Sequence, residues 1–318
     1  MAAPGGQAPV EKSPRPIVDV WNQRRSMNLW EEYHLATSIH DALQTLASAP
    51  GSARVIAGGT DLLLDLQQGR HAPVHSLVDV TPIPELSCLE VRKSGIFIGA
   101  AVPLQRITAS SIIFEHARAL QEACGLIGGP QVRNTATLGG NVAHALPAAD
   151  GTIALLALNA RAEVADLKHT RIIELQELFL GPGRSALHPQ NELLVGFYLP
   201  FAGDSDGSAF RRIMRPQGVA IAILNMGVWF RRVDDVIWDV RIAVGPGGPK
   251  PFRAKKTEDF LRGRKMDDTG ITRAMDILIS EASFRTSRHR ATRDYRRHVA
   301  KVLLKDTLKT AWERSHQE

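Results

Sequence analysis

The stretch GLIGGPQVRNTATLGGNVAHALPAAD, residues 125–150, decides how this chain is read. It holds five glycines, Gly125, Gly128, Gly129, Gly139 and Gly140, among the hydrogen-bonding side chains of Gln131, Arg133, Asn134, Thr135, Thr137, Asn141, His144 and Asp150. Residues 129–151 are too irregular to predict a regular element. A structureless loop of that length is either functional or disordered. Val132, Leu138, Val142, Leu146 and Ala148 argue against disorder. The expectation is a folded loop lining a polar ligand, with a self-capped surface loop as the alternative. A pyrophosphate and a ribityl chain stripped of water need many donors. Thr137, Gly140 and Asn141 supply them, and Asp150 offers an acceptor for hydroxyls.

A second glycine pair lies some 70 residues upstream, in RVIAGGTDLLLDLQQG. Backbone amides approach a phosphate closely only where no Cβ intrudes, and consecutive amides in a tight turn form an anion nest. A helix opening near Asp61 would add its positive end. Taken alone, Ala57–Leu62 reads more readily as a turn whose Asp61 caps a helix. Neither GxxxxGK[ST] nor GxGxxG is present.

The bulk properties narrow the classes. The chain has 318 residues, is 44% hydrophobic and carries a formal charge of +6, enough for a buried core and two or three modules. Much of the excess charge lies in 262–301, but no aromatic-interleaved basic stripe accompanies it, so no nucleic acid partner is expected. Cys88 and Cys124, the only cysteines, cannot by themselves ligate an iron–sulfur cluster and suit a cytoplasmic protein with free thiols. No run of about 18 apolar residues predicts a membrane span. Residues 1–26 read as a disordered leader. Arg24-Arg25 is not followed by an apolar region, because Glu31 and Glu32 come at once, and Met27 is a second possible start.

Periodicity predicts a helix in 36–48, a strand at ARVIAGG, a turn and helix to Gly69, and a strand at 76–81, a βαβ-like module. A hairpin about Ser94-Gly95, a mostly helical 104–128, a helix and strand in 151–164, and strands in TRIIELQELFL and NELLVGFYLPF follow. AGDSDGS, 202–208, reads as a linker. Asp234-Asp235 turns a second hairpin, and three amphipathic helices end the chain, the last placing Tyr295, Val299, Val302, Leu303 and Leu308 on one side.

Together the two glycine stretches carry a pattern. Ala57-Gly58-Gly59-Thr60-Asp61-Leu62, then Gln131-Val132-Arg133-Asn134-Thr135-Ala136-Thr137-Leu138-Gly139-Gly140-Asn141, then Ala145-Leu146-Pro147-Ala148-Ala149-Asp150, resemble the AGGTDL, QVRNxATxGGN and AxPxxD motifs of the FAD-binding medium subunits of the molybdenum hydroxylases. That family includes xanthine dehydrogenase, carbon monoxide dehydrogenase and 4-hydroxybenzoyl-CoA reductase. The likeness covers about residues 27–305. It implies an α+β chain with the FAD-binding fold of the vanillyl-alcohol oxidase (PCMH) type and a C-terminal α+β domain like that of the carbon monoxide dehydrogenase flavoprotein. The implied divisions are 27–85 and 86–201 for two FAD-binding subdomains and 209–318 for the C-terminal domain.

The resemblance also implies a site. Val55, Ile56 and Ala57–Leu62 would hold the pyrophosphate. Gln131, Thr137, Gly140, Asn141, His144 and Asp150 would bind the flavin nucleotide. Ile127 and Leu194 would pack on the flavin ring or adenine, and a basic residue, Arg211 or Arg212, would lie near the flavin. The four-cysteine insertion of 4-hydroxybenzoyl-CoA reductase is absent here. The implied role is an electron relay in a complex, a dimer of heterotrimers with a large molybdopterin subunit and a small [2Fe–2S] subunit; the acceptor would be NAD⁺, oxygen or another carrier. No acid–base dyad or nucleophile motif such as HExxH or GxSxG is present. The rival readings are a self-contained flavin oxidase and a flavin-free scaffold subunit.

Overall fold

The computed structural model describes residues 28–215 and 221–315. The leader reading of residues 1–26 and the alternative start at Met27 lie outside the described residues.

The chain opens with β1 (Trp30–Leu35), α1 (Ile39–Ser48), β2 (Ala53–Ile56), α2 (Leu62–Gln67) and β3 (Val74–Asp79). The strands form a parallel sheet in the order β1-β3-β2, the predicted βαβ module with one strand more. Ser38 caps α1 by accepting from Asp41 N, which supplies a partner for one of the helix's free amides. Ala42, Leu43 and Leu46 form its buried stripe. That stripe meets not only Val78 and Val80 but also Phe97, Leu193 and Val195 of the next sheet, in one continuous core.

The second sheet is antiparallel, built on the hairpin β4 (Leu89–Arg92) and β5 (Gly95–Gly99) and on β6 (Arg161–Ala165), β7 (Thr170–Glu174) and β10 (Leu193–Leu199), in the order β4-β5-β10-β6-β7. A small ribbon, β8 (Phe179–Gly181) with β9 (Arg184–Ser185), lies between. Helices α3 (Pro84–Ser87), α4 (Leu104–Thr108), α5 (Ser111–His116), α6 (Arg118–Leu126), α7 (Pro130–Thr135), α8 (Leu138–Ala143) and α9 (Asp150–Ala157) complete this part. Residues 129–151 are thus not structureless. They hold two six-residue helices, of which α7 buries none of its residues and so leaves no apolar stripe to read.

The last sheet, β11 (Asp206–Ile213), β12 (Leu224–Val233), β13 (Val236–Gly245) and β14 (Phe252–Arg253), runs in sequence order. Its first strand begins inside the segment predicted as linker, where Gly203 N bonds the Asp206 carboxylate at 3.0 Å. Alternation along the predicted hairpin divides its faces. Leu224, Met226, Val228 and Phe230 join α10 (Lys255–Leu261), α11 (Asp268–Glu281) and α12 (Arg293–Arg314) in one core. Phe210, Trp229 and Ala243 point the other way, into the core that contains α6 and α9. The stripe of α12 also differs from its prediction. Arg296, Val299, Ala300, Leu303, Leu304, Thr307, Leu308 and Ala311 are buried, whereas Tyr295 and Val302 are exposed. No helix among the described residues is long and apolar enough to cross a membrane.

Candidate functional site

The two glycine stretches meet. A Cβ built on Gly58 would lie 2.7 Å from the Thr135 carbonyl carbon and 2.9 Å from Ala136 Cα, so only glycine permits the first loop to touch the second. Gly59 next to it takes φ +66°, in the left-handed region that costs a side-chain-bearing residue. The chain then enters α2. Asp61 stands at the N-cap without capping it. Its carboxylate instead lies 3.2 Å from His144 Nδ1, across the seam. The buried Asp65 carboxylate is 3.8 Å from His144 Nε2 and is shared with Arg70 at 2.9 Å and His71 at 3.9 Å. The hydrogen bond to Asp61 raises the His144 pKa, and the same bond lowers that of Asp61.

The second loop is stitched to the turn that follows β5. Gly139 N donates to Ala100 O at 2.8 Å, Leu138 N to Val102 O at 3.2 Å and Leu104 N to Ala136 O at 2.9 Å. Thr137 caps α8, its hydroxyl accepting from Gly140 N at 3.1 Å. Gly140 has no neighbour in the direction of a Cβ except that hydroxyl, at 3.2 Å. Asn141 Oδ1 accepts from Thr152 N at 3.3 Å, tying the loop to the start of α9, and its amide nitrogen remains a donor. Gln131 is exposed on α7, while Thr60 lies half-buried in the first loop.

Asp150 opens α9 and is buried. Arg212 Nη1 donates to its Oδ2 at 2.5 Å and Asn225 Nδ2 to its Oδ1 at 2.5 Å; Asn225 also donates to Ala148 O at 3.0 Å. The Asp150 and Arg212 side chains are only 6% and 7% exposed, so they engage each other rather than solvent. Burial pushes the Asp150 carboxyl up, against the pull of Arg212 and Asn225. The two arginines point in different directions. Arg212 turns toward α9, whereas Arg211 turns away to Glu122, Asp306 and Thr310. Asn225 is a site residue that the pattern of β12 did not single out. Its one signal was a lone amide in an apolar strand, a group that burial obliges to find a partner. Ile127 and Leu194 share the second-sheet core, Leu194 fully within it, while Val55, Ala57 and Leu62 pack beneath the first loop.

These residues suit a hydroxyl- and phosphate-bearing cofactor. Three buried polar atoms, Thr152 Oγ1, Arg212 Nε and Asn225 Oδ1, have no hydrogen-bond partner, and unsatisfied buried groups of this kind mark a place where another polar molecule belongs. They lie around Asp150, at the end of the second loop, and Gly140 leaves its side of α8 open.

Comparison with known proteins agrees with the fold. Residues 25–202 match the family described as the FAD binding domain in molybdopterin dehydrogenase, and residues 208–311 match the CO dehydrogenase flavoprotein C-terminal domain. The xanthine dehydrogenase FAD-binding subunit of Escherichia coli O157:H7 is 27% identical, over 88% of this chain and 95% of its own. The nicotine 6-hydroxylase medium subunit of Paenarthrobacter nicotinovorans is 30% identical, over 89% and 98%. In solved structures, a chain of the carbon monoxide dehydrogenase of Hydrogenophaga pseudoflava superimposes with a TM-score of 0.84 at 28% identity, over 89% of this chain and 97% of that one. With more than half its length matched by the first of these domains, this chain belongs to the FAD-binding medium-subunit family of the molybdenum hydroxylases, flavoproteins among the oxidoreductases.

Proposed function

We propose that the chain holds FAD along the seam between its two glycine-rich loops and acts as the electron-transfer subunit of a molybdopterin-dependent hydroxylase. One observation carries the reading: the loops 57–62 and 135–144 touch at Gly58 and are bridged by Asp61 and His144, so one ligand meets both. Backbone amides of Ala57–Thr60 would hold the pyrophosphate. Gly140, which admits close approach, and the free amide of Asn141 bind the nucleotide, with Gln131 and Thr137 beside them. Val55, Ile56 and Leu62 support the first loop from below; Ile127 and Leu194 give an apolar wall. Asp150 and Arg212 spend Oδ2 and Nη1 on each other, which leaves the unpartnered Arg212 Nε for the ligand. They fix the start of α9 against β11 and so hold the second loop in place.

Bound FAD would supply the redox chemistry that links [2Fe–2S] clusters on a small partner with an acceptor such as NAD⁺ or oxygen. The chain's own residues position it and exclude water. Substrate oxidation falls to a large molybdopterin-bearing partner, in a cytoplasmic complex that we read as a dimer of heterotrimers. The names of the relatives support this assembly, since they are medium chains and FAD-binding subunits of such enzymes.

Absorbance of the purified chain tests the first step. Flavin bands, or their appearance on adding FAD, are expected, and a colourless protein that cannot be reconstituted overturns the reading in favour of a flavin-free scaffold. Adding candidate organic substrates to the FAD-loaded chain without partner subunits tests the second. No bleaching is expected; bleaching would identify a self-contained flavin oxidase.

A further inference from the structure

Helices α11 and α12 pack together in the C-terminal core, and their outer edges are joined by charge. Lys301 Nζ lies 3.0 Å from the Asp276 carboxylate, and Lys305 and Lys309 share Asp268 at 3.3 and 3.5 Å. These lysines continue a row in which a basic residue recurs at every fourth position of α12: Arg293, Arg297, Lys301, Lys305 and Lys309. Residues four apart are neighbours on a helix surface. Every fourth residue of α11 from Asp268 is Thr272, Asp276 and Ser280. Arg297 therefore comes beside a serine, where the next cation of the row finds an acid.

A groove of about 370 Å³ lies at that step, lined by Asp276, Ile279 and Ser280 of α11 and by Arg297, His298 and Lys301 of α12. Arg297 and His298 are exposed, and neither side chain has an ion-pair or hydrogen-bond partner among the described residues. The neighbouring acids are engaged elsewhere. Glu281 accepts from Lys256 N and Thr257 N at 3.0 Å, at the start of α10, and Asp294 lies 3.6 Å from Arg293. Beside the groove, α12 presents Tyr295 and Val302, 46% and 53% exposed. They stand two turns apart with His298 between them, the i, i+3, i+7 spacing at which one helix meets another. Charge decides which kind of helix fits. Residues 293–314 hold seven Lys and Arg against three Asp and Glu, in a chain whose formal charge is +6, so most of the chain's excess lies on α12.

We propose that this groove and the Tyr295–Val302 seam dock an acidic amphipathic helix of another subunit. Its apolar side covers Tyr295 and Val302. Its carboxylates reach Arg297 and His298 and complete the row that α11 leaves short. Exposed ion pairs contribute little each, so the apolar contact supplies affinity while the charges select the partner and its register. That the helix belongs to a subunit of the electron-transfer complex rests on the function proposed above; the binding of an acidic helix does not.

The full chain, with FAD added, is titrated with a fluorescein-labelled helical peptide of repeated Glu-Ala-Ala-Leu units, and with the same peptide carrying Gln for Glu. Anisotropy should report binding of the first and none of the second. Arg297→Glu should weaken binding at least about tenfold and Val302→Ser at least about threefold, with urea midpoints unchanged. Lys309→Glu makes the same change of charge on the same helix, but about 18 Å along its axis, or roughly two Debye lengths at physiological salt. It should alter binding by less than about twofold. No binding of the acidic peptide, equal binding of the Gln peptide, or equal losses in Arg297→Glu and Lys309→Glu overturns the site, and unchanged binding in Val302→Ser overturns the seam. In the complex purified through this chain, Arg297→Glu should release a subunit at lower salt than the native chain does, and Lys309→Glu at the same salt. No difference between the two variants overturns the assignment to a partner subunit. A chain that takes up FAD but not the peptide refutes this site alone, whereas one that binds the peptide but takes up no FAD refutes the flavin reading alone.

Discussion

Two seams converge on residues 135–152, and each contains a carboxylate facing a cation. At the seam with the first module, Asp61 meets His144, and their side chains are 62% and 29% exposed. At the seam with the C-terminal sheet, Asp150 meets Arg212, at 6% and 7%. The same chemistry does different work in the two places. In water the first pair is screened and contributes little, so the loops are brought together by shape, through the absence of a side chain at Gly58. The second pair is shielded. Losing either partner strands the other in a dry interior. One seam can open around a ligand, and the other holds the support rigid.

Breaking the buried pair has the largest expected effect. Arg212→Met should cost about 3–5 kcal/mol in urea unfolding, whereas Arg211→Met, on the partly exposed side of the same strand, should cost about 1 kcal/mol or less. Equal losses would erase the distinction between the seams. Gly58→Ala comes next. Its methyl must displace backbone at Thr135 and Ala136, which should cost about 1–3 kcal/mol and weaken FAD together with stability. Gly140→Val separates those two quantities. Nothing but the Thr137 hydroxyl meets the added group, so stability should change by about 1 kcal/mol or less while the FAD dissociation constant rises at least about tenfold, or 1.4 kcal/mol. A fluorescence titration reads the affinity, and an unchanged value removes Gly140 from the site.

The smallest effect is a dependence on pH. The His144 pKa is raised from 6.5 chiefly by its bond to Asp61, and Asp61 is lowered from 3.8 by the same bond. The histidine's contribution is complete below pH 6.5 and lost as pH rises through its raised value. The aspartate's is complete above 3.8 and lost as pH falls through its lowered value. Folding stability should therefore be highest between the two and decline on the alkaline side by less than about 1 kcal/mol, read from urea midpoints measured across pH. His144→Gln should remove the alkaline decline. A decline that persists would assign it to another group.

Much of this was legible beforehand, and the gaps have physical causes. Residues 39–48 have a strong period because one face is buried; the hairpin around Asp234-Asp235 is legible as apolar strands meeting at an acidic turn, its two faces entering different cores. Strand β1, WEEYHL, was missed because it lies at a sheet edge with exposed or half-exposed residues throughout, so neither face is consistently apolar. Helix α7 was missed because it buries nothing. Within the site, spacing brought the two glycine loops to notice but could not show that Gly58 is dictated by protein backbone rather than by open space. Nor could it show that Asp150 and Arg212, 62 residues apart, satisfy one another. Those are facts of close approach, which a linear pattern does not contain. The error on α12 was one of phase: Tyr295 and Val302 were assigned to a stripe whose true line runs through Arg296 and Ala300, and a buried arginine gives no apolar signal.

The core beneath α1 imposes a timetable on synthesis. Ala42, Leu43 and Leu46 are covered in part by Leu193 and Val195 of β10, which leave the ribosome last of the group. At ordinary translation speeds of 5–20 residues per second, the interval from β3 to β10 is roughly 6–25 s. Throughout it the nascent chain presents an apolar helix face whose lid has not been made. The apolar face of that helix is fully covered only when the second sheet closes over it.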